Sequence, residues 1–148
     1  KLLSVLDSKS REHTILRDSI LPGLLENLSR NIHESYPQKM FETGTVFATE
    51  NPISEKISFS GISAHKDANF TEMKSIIQSA LNIGFGITIE TKTSTDSTFE
   101  DGHCASIILN NVPIGIVGKI DSKVIENYKI RVPVVGFEIS LSDSVLKN

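Results

Sequence analysis

Leu21, Leu24, Leu25, Leu28 and Ile32 recur at i, i+3, i+4, i+7 and i+11, which lays one buried stripe along a helix. Glu26, Asn27, Ser29 and Arg30 fall on the opposite, polar side. Asp18 or Ser19 is placed to cap the start. Pro22 is tolerated in the first turn, where amide donors have no partner within the helix. Beyond Pro37 the period changes. Phe, Val and Thr between Lys39 and Thr49 predict a strand, and Ile57, Phe59, Gly61 and Ile62 predict a second in the same sheet past the turn signal Asn51-Pro52.

Met73, Ile76, Ile77, Ala80 and Leu81 predict a second helix with these residues facing inward. Asn69 with Glu72 three residues later, or Thr71 alone, opens it, and Gly84 is its expected stop. Ile87 to Thr91 reads as a strand, followed by a polar loop from Lys92 to Gly102. Cys104 to Leu109 and Pro113 to Ile120 flank Asn110-Asn111, a hairpin turn because Asn tolerates positive φ. A short helix from Ser122 to Tyr128 and a closing strand from Pro133 to Leu141 complete the pattern. Ahead of it stand a short strand from Leu2 to Leu6 and a polar loop from Asp7 to His13. These elements predict an α+β fold, an antiparallel β-sheet with helices laid on one side.

Composition narrows the class. The 148 residues are enough for one core and form one expected domain, 1–148. A net charge of -3 disfavours a broad grip on a phosphate backbone. The single cysteine, Cys104, excludes an internal disulfide and suits a reducing compartment. No apolar run approaches the ~20 residues of a membrane span. The chain starts at Lys1, and it is expected to be an N-terminally truncated piece of a longer protein.

Candidate chemistry is sparse. Gly84-Phe85-Gly86 and Gly115-Ile116-Val117-Gly118 lack the spacing of a dinucleotide fingerprint or a P-loop, so close backbone approach or a bulge is the expected use of Gly115 and Gly118. His13, His33, His65 and His103 make no metal-ligand pair, and His103 and Cys104 point to opposite faces of a strand. No metal site is expected. Cys104 opens an apolar strand without a neighbouring base and reads as a core thiol. Arg11, Glu12 and Arg17 stand out at the entry to the first helix, where a guanidinium can tie loops together through an ion pair.

Two blocks, Leu16-Arg17-Asp18-Ser19-Ile20-Leu21-Pro22-Gly23-Leu24-Leu25 and Met40-Phe41-Glu42-Thr43-Gly44-Thr45-Val46-Phe47, resemble the helix-then-strand segment of the catalytic-like domain in β subunits of phenylalanyl-tRNA synthetases. Phe70 to Ile76, Ile114 to Ile120 and Gly136 to Ile139 follow in the family's order. Gly102-His103-Cys104 departs from the family's Gly-Arg, and Lys119-Ile120-Asp121-Ser122 from its Gly-Glu-x-His-Pro. The resemblance implies a class II aminoacyl-tRNA synthetase-like fold of the archaeal or eukaryotic type. Arg17, Pro22, Glu42, Gly44 and Phe47 are then the candidate structural or interface residues.

It also implies a lost active site. Active class II enzymes end one strand in Phe-Arg-x-Glu, whose Arg grips the α-phosphate of ATP; here the strand ends Phe47-Ala48-Thr49-Glu50. Asp143 similarly stands where a second phosphate-bracing Arg would be. Losing two charge-assisted contacts at roughly 1.5–3 kcal/mol each would weaken nucleotide binding more than tenfold. The implied function is non-catalytic: a domain packing against a catalytic α subunit in a cytoplasmic heterotetramer of two α and two β chains. ATP and Mg would be used by that partner, no cofactor would be held here, and tRNA(Phe) would be met through the complex. The alternatives are a divergent adenylate-forming domain using Arg17, Lys39 or Arg131 as phosphate ligands, and a tRNA-binding module.

Overall fold

The computed structural model describes residues 3–4, 15–48 and 53–141. Its elements in chain order are β1 (Leu3–Ser4), β2 (Ile15–Leu16), α1 (Leu21–Arg30), β3 (Gln38–Ala48), β4 (Ser54–Ala64), α2 (Phe70–Phe85), β5 (Glu90–Thr93), β6 (Phe99–Leu109), β7 (Val112–Ile120), α3 (Ser122–Asn127) and β8 (Val134–Ser140). The expected polar loop from Asp7 to His13, the Asn51-Pro52 turn, Arg11, Glu12 and Asp143 lie outside the described residues. β1 and β2 form a small antiparallel pair. The other strands make one antiparallel sheet in the order β3-β4-β8-β7-β6-β5. The predicted α+β, antiparallel class is the observed one.

β8, the last strand in sequence, is not an edge but lies between β4 and β7. That position explains its unbroken apolar run. Val134 belongs to the core under α1, with Leu24, Leu28 and Ile62, whereas Val135 belongs to the core under α2, with Met73, Ile77 and Leu81. Consecutive strand residues point to opposite faces, so the two helices cover opposite faces of the sheet. The expectation of helices on one side is corrected by this pair. A strand buried on both faces needs apolar residues at successive positions.

The local signals decide most boundaries. Asn69 Oδ1 accepts the Glu72 amide at 3.0 Å and starts α2. The helix runs past the expected stop at Gly84 to Phe85 and ends on Gly86, whose φ of 68° is left-handed. Of the inward face predicted for α2, Met73, Ile77 and Leu81 are buried, but Ile76 is half-buried and Ala80 exposed. The β6–β7 hairpin turns on Asn110 and Asn111, at φ 49° and 64° as the sequence required. The predicted polar loop from Lys92 to Gly102 shrinks to a short connection, because β5 extends to Thr93 and β6 begins at Phe99. Phe99 is buried beside Gly118, where an added Cβ would lie 2.7 Å from its ring.

Candidate functional site

α1 covers only part of its sheet face. Past its N-terminus the face opens as a cleft of about 570 Å³. Val46, Ala48, Ser58, Ile114, Ile116 and Glu138 come from four neighbouring strands to line it. Asp18 and Ser19 from the approach to α1, with Asp96 and Thr98 from the β5–β6 connection, also contribute. Among the described residues its charged lining is Asp18, Asp96, Glu138 and Lys56. Ala48, expected at the lost α-phosphate position, is part of this cleft and brings no charge to it.

The head of α1 departs from expectation. The N-cap position is Ile20, and neither Asp18 nor Ser19 caps it; Ile20 has no side-chain cap bond of its own. Glu138, from β8, supplies the acceptor instead. Its Oε2 accepts Ser19 Oγ at 2.7 Å, the Ile20 amide at 2.9 Å and the Leu21 amide at 3.2 Å. Free amides at a helix start require such acceptors. Here the acceptor comes from a residue 118 positions away in sequence.

Four of the five candidate residues meet beside the cleft. The Arg17 guanidinium donates from Nε to Thr45 O at 2.9 Å and forms an ion pair with Glu42. Arg17 O accepts the Phe47 amide at 2.9 Å. Gly44 is the surface beneath the guanidinium, since a Cβ there would stand 2.1 Å from Nη2. Pro22 is apart from them, exposed in the first turn of α1. Gly44→Ala is expected to push Arg17 off both partners and cost about 1–2 kcal/mol, with the half-exposed ion pair contributing little of it. Urea denaturation of G44A, R17A and the double variant checks this: the double should lose no more than the worse single.

The proposed substitute phosphate ligands do not gather. Arg17 is held by Glu42 and Thr45. Lys39 Nζ lies 2.8 Å from Glu72 at the head of α2. Arg131 lines a separate depression with Lys119 and Ile125. Lys39, with His65 at 2.7 Å, holds the Glu72 carboxyl below its ordinary range against the opposing effect of burial. Cys104 is buried and His103 exposed. Burial pushes the Cys104 thiol up, and its side-chain hydrogen-bond partner is Ser94 Oγ at 3.6 Å, which is no base. Among the described residues no group of three or more His, Cys, Asp or Glu is placed to hold a metal ion, and no helix is long and apolar enough to cross a membrane.

A second surface was not foreseen. On the α2 face a groove of about 320 Å³ runs between the helix and β3, lined by Met40, Phe41, Phe59, Met73, Ile76, Ala80 and Phe137 among others. Phe41 is 78% exposed and leans edge-on toward Phe59. Ile83, on the same helical stripe as Ile76 and Ala80, is 86% exposed. Strand alternation alone put Phe41 in the sheet without telling which face was covered.

Known proteins place this geometry. The chain matches the family described as phenylalanyl tRNA synthetase beta chain CLM domain over residues 1–141. It is 36% identical to the phenylalanine–tRNA ligase beta subunit of Archaeoglobus fulgidus over 93% of its length, and 37% identical to that of Thermococcus onnurineus over 95%. The chain spans about a quarter of those relatives, 24% and 25% of their lengths. In fold it is similar to two structures of pyrrolysyl-tRNA synthetase from Desulfitobacterium hafniense. One superposes with a TM-score of 0.73 at 18% identity over 95% of this chain and 50% of that one. The other superposes with a TM-score of 0.77 at 17% identity over 99% and 52%. The fold is therefore that of class II aminoacyl-tRNA synthetases, and the chain belongs to the phenylalanyl tRNA synthetase beta chain CLM domain family.

Proposed function

We propose that this domain is the non-catalytic, catalytic-like module of a phenylalanine–tRNA ligase β subunit. It packs against the catalytic α subunit in a cytoplasmic assembly of two α and two β chains, and the α subunit carries the ATP and magnesium chemistry. tRNA(Phe) is engaged by the complex and not by this domain alone. The observation that carries the reading is the cleft past the head of α1, lined by Ala48, which the family resemblance sets where an active enzyme would have a guanidinium, together with Asp18, Asp96 and Glu138. Adenylation builds negative charge at the α-phosphate and needs fixed cations there. Among the described residues of the lining, the carboxylates of Asp18, Asp96 and Glu138 oppose that charge.

The packing half of the proposal is supported by the apolar groove beside β3, which suits a protein partner better than a polar ligand. Calorimetric titration of this chain with MgATP, with and without phenylalanine, tests the non-catalytic half. No heat up to millimolar nucleotide is expected. Saturable one-to-one binding would instead favour the adenylate-forming reading.

A further inference from the structure

We infer that the cleft past the head of α1 is a binding site for a small primary amine, held there as its ammonium ion. The residue that points to a ligand is Ser58, on β4. Among the described residues the buried polar side chains are Ser58, Ser60 and Ser63. Ser60 Oγ donates to Phe137 O at 2.7 Å, and Ser63 Oγ donates to Glu72 Oε1 at 3.3 Å. Ser58 is 4% exposed, yet its hydroxyl has no hydrogen bond among the described residues. Native folds leave few buried hydroxyls without a partner. Among the described residues no fully enclosed side-chain oxygen or nitrogen lacks one. The small accessible area of Ser58 therefore includes its Oγ, which opens into the cleft that Ser58 lines.

The sheet explains why that partner comes from outside the chain. Ser58 lies across from Gly44, which has no side chain, and from Ser140, which also lines the cleft. The Arg17 guanidinium over Gly44 is already held by Glu42 and Thr45. Charge then selects the ligand. The described lining carries the carboxylates of Asp18, Asp96 and Glu138, and its lysine, Lys56, has an interaction of its own. Acceptor capacity is left over. Asp18 is exposed and without a partner among the described residues. Asp96 gives Oδ1 to the Thr98 amide at 2.8 Å, and Glu138 gives Oε1 to the Ile20 amide at 3.2 Å. An ammonium group brings three donors and no acceptor, which matches a hydroxyl oxygen set among carboxylates. Val46 and Ile116 add an apolar wall for a short hydrocarbon body. The open volume of about 570 Å³ is that of a small-molecule site.

The inference goes beyond the non-catalytic reading and does not rest on it. Its probes carry no phosphate, so its outcome is judged apart from the MgATP titration. Amide NMR spectra of this chain would be followed as butylammonium chloride is added, with butanol and norvaline as comparisons at equal ionic strength. Norvaline is the same amine bearing a carboxylate, which the acidic lining should repel. Butylammonium should give saturable shifts around Ser58, Ala48 and Ile116, with a dissociation constant on the order of 1 mM. Butanol and norvaline should each bind at least about tenfold more weakly. Ser58→Ala should weaken butylammonium about tenfold, and Asp96→Asn, which keeps an acceptor for the Thr98 amide, about threefold. Shifts that grow without saturating overturn the inference. So does butanol or norvaline binding as tightly as butylammonium, or a folded S58A that binds as wild type does. If S58A does not fold, D96N decides: weakened butylammonium binding supports the inference, and unchanged binding overturns it.

Discussion

Gly115→Val should destabilise the chain by about 4 kcal/mol or more, a loss at the severe end for a single substitution. The reason lies in the backbone of its neighbour. Gly115 is on β7, opposite Ile139 of β8. An added Cβ would lie 2.4 Å from the Glu138 carbonyl oxygen and 2.9 Å from Ile139 Cα. Neither atom can rotate away as a side chain would, so relief requires the two central strands to part. Overpacking that a flexible side chain absorbs costs about 1–3 kcal/mol. Here Ile139, fully buried, and Glu138, which caps α1, would both move. G115A should suffer less than G115V but in the same direction. Gly23→Ala is the control: its Cβ meets nothing within 4 Å inside α1, so stability should rise by about 0.5–1 kcal/mol. Urea melts of the three variants check the ranking. A G115V midpoint within error of wild type would refute the close approach.

The same strand shows what the sequence could and could not tell. The leucine stripe of α1, the Asn69 cap and the Asn110-Asn111 turn are local, and each was legible because the residues that decide it are within a few positions. Gly84 was the expected stop of α2, and tertiary burial carries the helix past it: Ile87 donates its amide back to Leu81 O at 3.3 Å and is itself buried, which requires the left-handed residue at Gly86. Phe99 was one apolar residue in a polar stretch, with no period to expose it. Its place depends on the absence of a side chain at Gly118 on the next strand. The acceptor at the head of α1 was out of reach for a similar reason, since Glu138 meets Ile20 only after six strands have been ordered. In the candidate site, Arg17, Glu42, Gly44 and Phe47 were found by likeness to a family pattern, and the structure supplies their physical relation. Periodicity gave only a guanidinium at a helix entry.

Phe41→Asp is expected to break assembly while leaving the fold intact. Phe41 is 78% exposed, so replacing it should change this chain's own stability by no more than about 0.5 kcal/mol. Its ring nevertheless frames the groove with Phe59, Ile76 and Ala80, and β3 is an edge of the six-stranded sheet among the described residues. Arg17 O takes the Phe47 amide toward one end of that strand, leaving Phe41 nearer the other. An aromatic residue so placed is costly to expose unless a partner covers it, and aromatic anchors at the centre of an interface carry much of its energy. If the α subunit covers this groove, a buried aspartate in place of the ring should cost 2 kcal/mol or more, about a thirtyfold loss of affinity. Ile76→Asp, on the facing helix, should behave alike, although its half-buried side chain will also cost some stability. Sedimentation of the co-expressed α and β chains, beside the thermal midpoint of each β variant alone, separates the two effects. F41D that unfolds normally but no longer sediments with α would place the partner on this face. Assembly undiminished in both variants would move the interface elsewhere, with Pro22 and the Arg17–Glu42 corner the next surfaces to alter.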